Sequence, residues 1–422
     1  MSGGSFARTF IGLGSANIVS LAAQLLSMLA LGVLAAPDEL GKFLLGLAIA
    51  APFATFCALR FDSAIPSART TGECSVLLLL AFASTTLMSL IALLVILAAR
   101  SINLFSLAAL SPISLAAIFG IMLATAAGQA GRYMAIRSGE LQPIVRATYG
   151  RGILTLVFRG AAIAAIANGV LPVAWQAASF LLAELVCVAV AALILRPRIS
   201  WLAQTIQPQR LRAVMRRNWK FPLIEGPSTL LDTFSANAPI YLVTQFFGLG
   251  AAGSFGLAFR AMAAPAGQLA LAMTEVLQSR YSALLRAGNI MVVRSMFMKS
   301  SALALALGVI GYGVALVILE PVIVYALGEK MRLFAQVSVA ILPWVVLLIV
   351  VNLNSRVIAL FQRQELKLIY DFYSLATVGG LVVAALAFKP DFLTFVLWIT
   401  ATQAIGYLIY WLLIARLFRG SA

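Results

Sequence analysis

Histidine is absent from all 422 residues. That removes zinc–histidine chemistry, imidazole activation of a serine or cysteine nucleophile, and haem ligation by imidazole. Acid is scarce as well. Asp and Glu number 14 against 30 Lys and Arg, and charged residues make up 10% of the chain, where a soluble domain carries about 25%. The three cysteines, Cys57, Cys74 and Cys187, lie in or beside apolar stretches without CxxC spacing, which indicates neither a metal knuckle nor a disulfide framework. With no acidic cluster to hold a metal or act as a general base, neither an enzyme nor a cofactor is expected.

What fills the chain is apolar: 62% of residues are hydrophobic. A membrane helix needs about 20 such residues, and apolar runs separated by charged or Pro/Gly breaks predict twelve of them. The first six fall at about 8–35, 40–66, 75–99, 112–137, 150–168 and 170–195, the second six at about 222–247, 250–283, 296–320, 331–361, 366–388 and 391–417. The first run ends in Ala35-Ala36-Pro37, like a cleavable leader. At about 25 apolar residues it is too long for one and is read as a retained helix.

The basic excess falls into place on this scaffold. Loops after even-numbered spans carry Arg69, Arg137, Arg146, Arg196, Arg198, Arg210, Arg212, Arg216, Arg217, Lys220, Arg286, Arg294, Arg363 and Lys367, and the termini add Arg8, Arg416 and Arg419. Loops after odd-numbered spans offer only Lys42, Arg100, Lys330, Arg332 and Lys389, several beside acids. The charge therefore marks cytoplasmic loops rather than nucleic-acid contact, and both termini are expected in the cytoplasm.

The halves also resemble each other, at an offset of about 212 residues. Gly41, Phe43 and Leu45 match Gly253, Phe255 and Leu257; with one residue inserted, Pro52 matches Pro265 and Asp62 matches Glu275. The expected organisation is all-α: an N-terminal six-helix lobe (1–195), a basic cytoplasmic linker (196–221) and a C-terminal six-helix lobe (222–422), with a cavity between parallel, pseudo-symmetric bundles. Within the linker, Leu211, Val214, Met215 and Trp219 recur at helical spacing among Arg210, Arg212, Arg216 and Arg217, a pattern that suits an interfacial helix on anionic lipid.

A charge at the bilayer centre costs about 2.5–3.5 kcal/mol on insertion scales, so each one within a span needs a partner or water. On the seventh span Glu225, Ser228, Asp232 and Ser235 share a helical face, and on the first span Asn17, Ser20, Gln24 and Ser27 repeat the spacing. Arg260 lies about ten residues into the eighth span and is the foremost binding candidate, the alternative being a static pair with Asp232 or Glu275. Arg159 on the fifth span and Arg356 on the tenth are similarly deep, while Arg60 and Asp62 sit near the cytoplasmic end of the second. Glu184 on the sixth has no evident partner in the sequence; it is either protonated against lipid or a coupling carboxylate.

Certain strings carry a family resemblance: Gly41-Lys42-Phe43 with Leu59-Arg60-Phe61-Asp62-Ser63-Ala64, Gly253-Ser254-Phe255-Gly256-Leu257-Ala258-Phe259-Arg260 with Pro265, and Phe221-Pro222. Over nearly its whole length the chain resembles the polysaccharide or O-antigen flippases (Wzx-like) of the multidrug/oligosaccharidyl-lipid/polysaccharide (MOP) exporter superfamily. The resemblance implies a multi-pass protein of the bacterial cytoplasmic (inner) membrane that moves an undecaprenyl-diphosphate-linked oligosaccharide to the periplasmic leaflet by alternating access. It also implies other polysaccharide-assembly proteins as partners. Arg260, Arg159, Arg356 and Arg60, with Asn17 and Gln24, would then bind the anionic headgroup, whereas Asp232, Glu184, Glu225, Glu275 and Asp62 are the ion-coupling or gating candidates for a proton or sodium gradient. The alternative is a multidrug or metabolite exporter of the same superfamily, and behind it a membrane glycan polymerase or ligase.

Overall fold

The computed structural model describes residues 3–196, 208–355, 357–361, 363 and 365–418, and these form an all-helical protein. Helices α1 (Gly3–Leu34), α2 (Pro37–Phe56), α3 (Phe61–Ala64), α4 (Thr71–Ser101), α5 (Pro112–Ser138), α6 (Gln142–Ala167) and α7 (Gln176–Ile194) come first. The amphipathic α8 (Pro208–Arg217) follows, and then α9 (Gly226–Arg286), α10 (Ile290–Leu327), α11 (Arg332–Asn352), α12 (Val357–Leu360), α13 (Glu365–Phe388) and α14 (Phe392–Leu417). Among the described residues, eleven segments are long and apolar enough to cross a membrane. The expected seventh and eighth spans run together in α9, which breaks at Gly248 (φ 84°), a conformation that suits a residue without Cβ.

Two boundaries depart from the sequence reading. The second span stops at Phe56, and a turn with Leu59 and Arg60 in the left-handed region (φ 46° and 57°) leads into α3. No glycine or proline marks residues 57–60, so tertiary contacts described below must hold this turn. The tenth span likewise ends at Asn352 and resumes as the short α12.

The chain divides into two compact units, Met1–Gly253 and Ser254–Ala422. In the first, α1 packs on α6, α5 on α7, and α2 on α5 and α7. Its interior holds Phe43, Leu44, Leu45, Ile118, Phe180 and Leu181, with Phe43 and Phe180 edge to face at 5.7 Å. The segment of α9 before Gly248 belongs here too: Tyr241 Oη donates to the Ala48 carbonyl (2.5 Å), and the hydroxyls of Thr55 and Thr233 lie 3.4 Å apart.

Within this unit the connections sort into two groups. At one end Ala36 N–H donates to Gln176 Oε1 (3.0 Å), Ala177 N–H to Glu39 Oε2 (3.2 Å) and Phe105 N–H to Gln245 Oε1 (2.7 Å), joining connections that follow odd-numbered spans. At the other, residues 58–68 form one apolar cluster with Cys74, Met134, Val214 and Phe221, and Arg137 donates to the carbonyls of Ile65 and Ala68. This end gathers the connections after even-numbered spans.

The second unit packs α10 on α11 and α11 and α13 on α14. Its core includes Tyr281, Phe297, Ile358, Tyr410 and Phe418 around a polar hub, Asn354, which accepts from Tyr281 Oη (2.7 Å) and donates to Ser301 Oγ (3.1 Å). On the outside, Leu87, Leu90 and Leu94 of α4 and Leu303, Leu307, Ile310 and Val317 of α10 are exposed. Runs of exposed apolar side chains on single helices suit hydrocarbon and are rare on soluble proteins.

Candidate functional site

The deepest charges of the first unit meet between α1, α6 and α7. Arg159, 2% exposed, donates from Nη2 to Glu184 Oε2 (2.6 Å) and from Nη1 to Ser27 Oγ (3.2 Å), with its guanidinium 5.2 Å from the centre of the Phe43 ring. Arg151 donates from Nη2 to the other carboxylate oxygen, Oε1, at 2.7 Å. Two guanidiniums thus share one carboxylate.

The local sequence explains the convergence. Arg151, Thr155 and Arg159 are spaced four apart and lie on one side of α6. On the same side is Gly152, where a Cβ would come within 2.9 Å of the Ser20 Cα, so its lack of a side chain lets α1 approach closely enough for Ser27 to reach Arg159. Among the described residues, neither buried Nε–H has a hydrogen-bond partner. A carboxylate paired on both oxygens offsets part of the desolvation of the buried Arg159, while the Arg151 side chain, 41% exposed, is partly screened by solvent.

A second cluster lies at the even-loop end. Arg60 donates from Nε and Nη2 to Glu225 Oε1 (3.0 and 2.8 Å), and Ser63 Oγ donates to the same oxygen (3.2 Å). Glu225 closes a π-helical turn, Phe221–Glu225, that opens the seventh span, a wider turn often found at functional positions. Asp62, 2% exposed, has an Oδ1 without a hydrogen-bond partner among the described residues. It lies outside the membrane-crossing helices, and burial raises its carboxyl above the usual range despite the opposing pull of Arg60.

The structure places the other sequence candidates less densely. In the first-span stripe, Ser20 and Ser27 are buried and Gln24 donates to Ser20 Oγ (3.3 Å), while Asn17 is exposed. Asp232 is exposed on α9, and Arg260 is half-buried in the second unit, beside Phe259, whose ring stacks on Trp344 at 4.7 Å. Arg356 lies outside the described residues, as does the side chain of Glu275. Sequence reasoning missed Arg151, because the fifth span was placed to begin at about 150 and α6 begins at Gln142, eight residues earlier by that count. Glu184, for which the sequence offered no partner, pairs with both Arg151 and Arg159. Among the described residues no group of three or more acids and cysteines is placed to hold a metal ion.

No protein-family model and no curated protein sequence matches the chain. Solved structures do. An inward-facing multidrug resistance MATE family transporter of the MOP superfamily is similar with a TM-score of 0.69 at 15% identity, over 96% of this chain and 98% of that one. The lipid II flippase MurJ in an inward closed conformation gives 0.67 at 11% identity, over 96% and 86%. A MOP superfamily transporter from Pyrococcus furiosus gives 0.57 at 13%, over 98% and 96%. The chain shares the fold of these transporter structures.

Proposed function

We propose that the protein is a membrane transporter that moves an undecaprenyl-diphosphate-linked oligosaccharide from the cytoplasmic to the periplasmic leaflet of the bacterial inner membrane. The observation that carries this reading is the cation excess inside a membrane-crossing bundle, where Arg151 and Arg159 share Glu184. A diphosphate-sugar headgroup is large, polar and anionic, and crossing about 30 Å of hydrocarbon unaided is prohibitive. Guanidiniums bind phosphate oxygens in a forked geometry and stay charged in apolar surroundings, so they suit this cargo. A pocket for organic cations would instead favour acidic lining.

In this reading the prenyl tail stays in lipid between helices while the headgroup passes through a hydrated path in an alternating-access cycle. Arg159 and Arg260 act on the headgroup, and Glu184 releases the arginines when the anionic cargo replaces it. The fold likeness to a lipid II flippase is compatible with a lipid-linked cargo, and the likeness to multidrug transporters keeps the exporter as the rival.

The test is leaflet accessibility of a labelled undecaprenyl-diphosphate oligosaccharide in proteoliposomes, against protein-free vesicles. Movement in the protein-containing vesicles alone supports the reading. No movement there, together with export of cationic dyes, replaces it with the exporter.

A further inference from the structure

The linker helix α8 presents two different faces. At about 100° per residue, Leu211, Val214 and Asn218 fall within about 60° of one another. That side meets the protein: Val214 packs on the apolar cluster of residues 58–68, and the buried Asn218 donates to Glu73 Oε1 (3.5 Å). Glu73, in the first turn of α4, also accepts from Arg217 Nη1 (3.2 Å) and from the Arg69 backbone N–H (2.9 Å). The helix is therefore seated at the level where α4 begins.

Met215 and Trp219, expected from sequence on the same side as Leu211 and Val214, point away from the protein. They are 45% and 46% exposed. Met215 lies about 40° from Leu211 around α8, with the exposed Arg212 and Arg216 beyond it at about 100° and 140°, and Trp219 follows in the turn after the helix. Apolar and indole side chains edged by arginines match the chemistry of the lipid interface, where the first enter the acyl boundary and the second reach headgroups. No acid occurs from residue 196 to 224, whereas Arg210, Arg212, Arg216, Arg217 and Lys220 crowd eleven positions.

We infer that the outer face of α8, with Met215, Trp219, Arg212 and Arg216, is a docking surface for anionic phospholipid headgroups of the leaflet at the even-loop end. Each basic residue near an anionic surface strengthens binding about fivefold. Bound lipid holds α8 in place, and only residues 218–220 separate α8 from the π-turn that presents Glu225 to Arg60, so headgroup charge bears on the start of the seventh span. The inference does not depend on the cargo.

The test uses the full chain in nanodiscs, with an environment-sensitive fluorophore on Met215→Cys in a background where Cys57, Cys74 and Cys187 are replaced by alanine. In discs containing phosphatidylglycerol, the probe is expected to be quenched by nitroxides on lipid headgroups and shielded from aqueous iodide. In discs of phosphatidylcholine alone, or with Arg212→Glu and Arg216→Glu added, the shielding is expected to fall several-fold. Native mass spectrometry of the unlabelled wild type supplies an independent readout, with retained phosphatidylglycerol expected and its loss in the double charge inversion. A probe equally open to iodide in every disc, or retention unchanged by the inversion, overturns the proposal. Shielding produced by inorganic phosphate in phosphatidylcholine discs overturns it as well.

Discussion

Arg60 and Glu225, 165 residues apart in sequence, meet in a hydrogen-bonded ion pair in which Nε and Nη2 both donate to a single oxygen, Oε1. The arginine reaches it from a left-handed backbone conformation, and the glutamate from a π-turn. Two locally unfavourable conformations are thus joined by one contact at the end of the second span and the start of the seventh. Strained backbone persists only where surrounding contacts over-determine it, and here the ion pair acts as that latch.

The latch contributes little to global stability. The Arg60 and Glu225 side chains are 19% and 40% exposed, so solvent screening reduces the pair to at most about 1 kcal/mol. A double-mutant cycle with Arg60→Ala and Glu225→Ala, read by thermal unfolding in detergent, should give a coupling of about 0.5–1 kcal/mol. The larger expected change is in the distance between labels on the exposed neighbours Ser67 and Leu223, whose distribution broadens when either Arg60 or Glu225 is removed.

Asp62 makes stability depend on pH. Burial raises its carboxyl above the ordinary 3.8, so the folded protein binds the proton more tightly than the unfolded chain does. Its stabilising contribution is full below the unfolded value and is lost as pH rises through the folded one. Asp62→Asn is therefore expected to raise the melting temperature at neutral pH, with an advantage that shrinks as pH falls towards the ordinary carboxylate range. Equal melting temperatures at neutral pH would contradict the assignment.

For the buried cluster a different pattern is expected. Glu184→Gln leaves two guanidiniums without their counter-charge and should cost about 3–5 kcal/mol, since breaking one side of a buried pair strands the other. Arg159→Met leaves Arg151 on Glu184 and should cost less. The double variant Arg159→Met with Glu184→Gln should be more stable than Glu184→Gln alone, measured by thermal unfolding of each protein.

How far the sequence discloses this site depends on the physics of each part. Arg159 and Glu184 stand out because a charge inside an apolar run is costly, and the spans are readable because each needs about 20 apolar residues. The partnership between the two is not readable, since it is set by how α6 packs on α7. Arg151 carried a usable signal, its spacing of four and eight residues to Thr155 and Arg159, which the placement of the span boundary concealed. The turn at 57–60 lacks glycine and proline, and the hub at Asn354 rests on side chains from two other helices, Tyr281 of α9 with Ser300 and Ser301 of α10, so neither leaves a local mark.

Arg260 is the site candidate in the second unit. Arg260→Ala is expected to abolish transport in proteoliposomes while membrane insertion and yield stay at the wild-type level. Arg260→Lys is expected to retain part of the rate, because an ammonium keeps the charge and loses the forked contact with phosphate. Wild-type transport by Arg260→Ala would remove Arg260 from the mechanism.

The central claim is that excess cations within the bundle select an anionic headgroup. It is tested most directly by initial translocation rates, in the same proteoliposomes, of one glycan carried on a prenyl diphosphate, a prenyl monophosphate and an uncharged prenyl lipid. The account predicts rates that fall in that order, with the difference much reduced in Arg151→Gln with Arg159→Gln. Rates independent of headgroup charge, or fastest for the uncharged lipid, would contradict it.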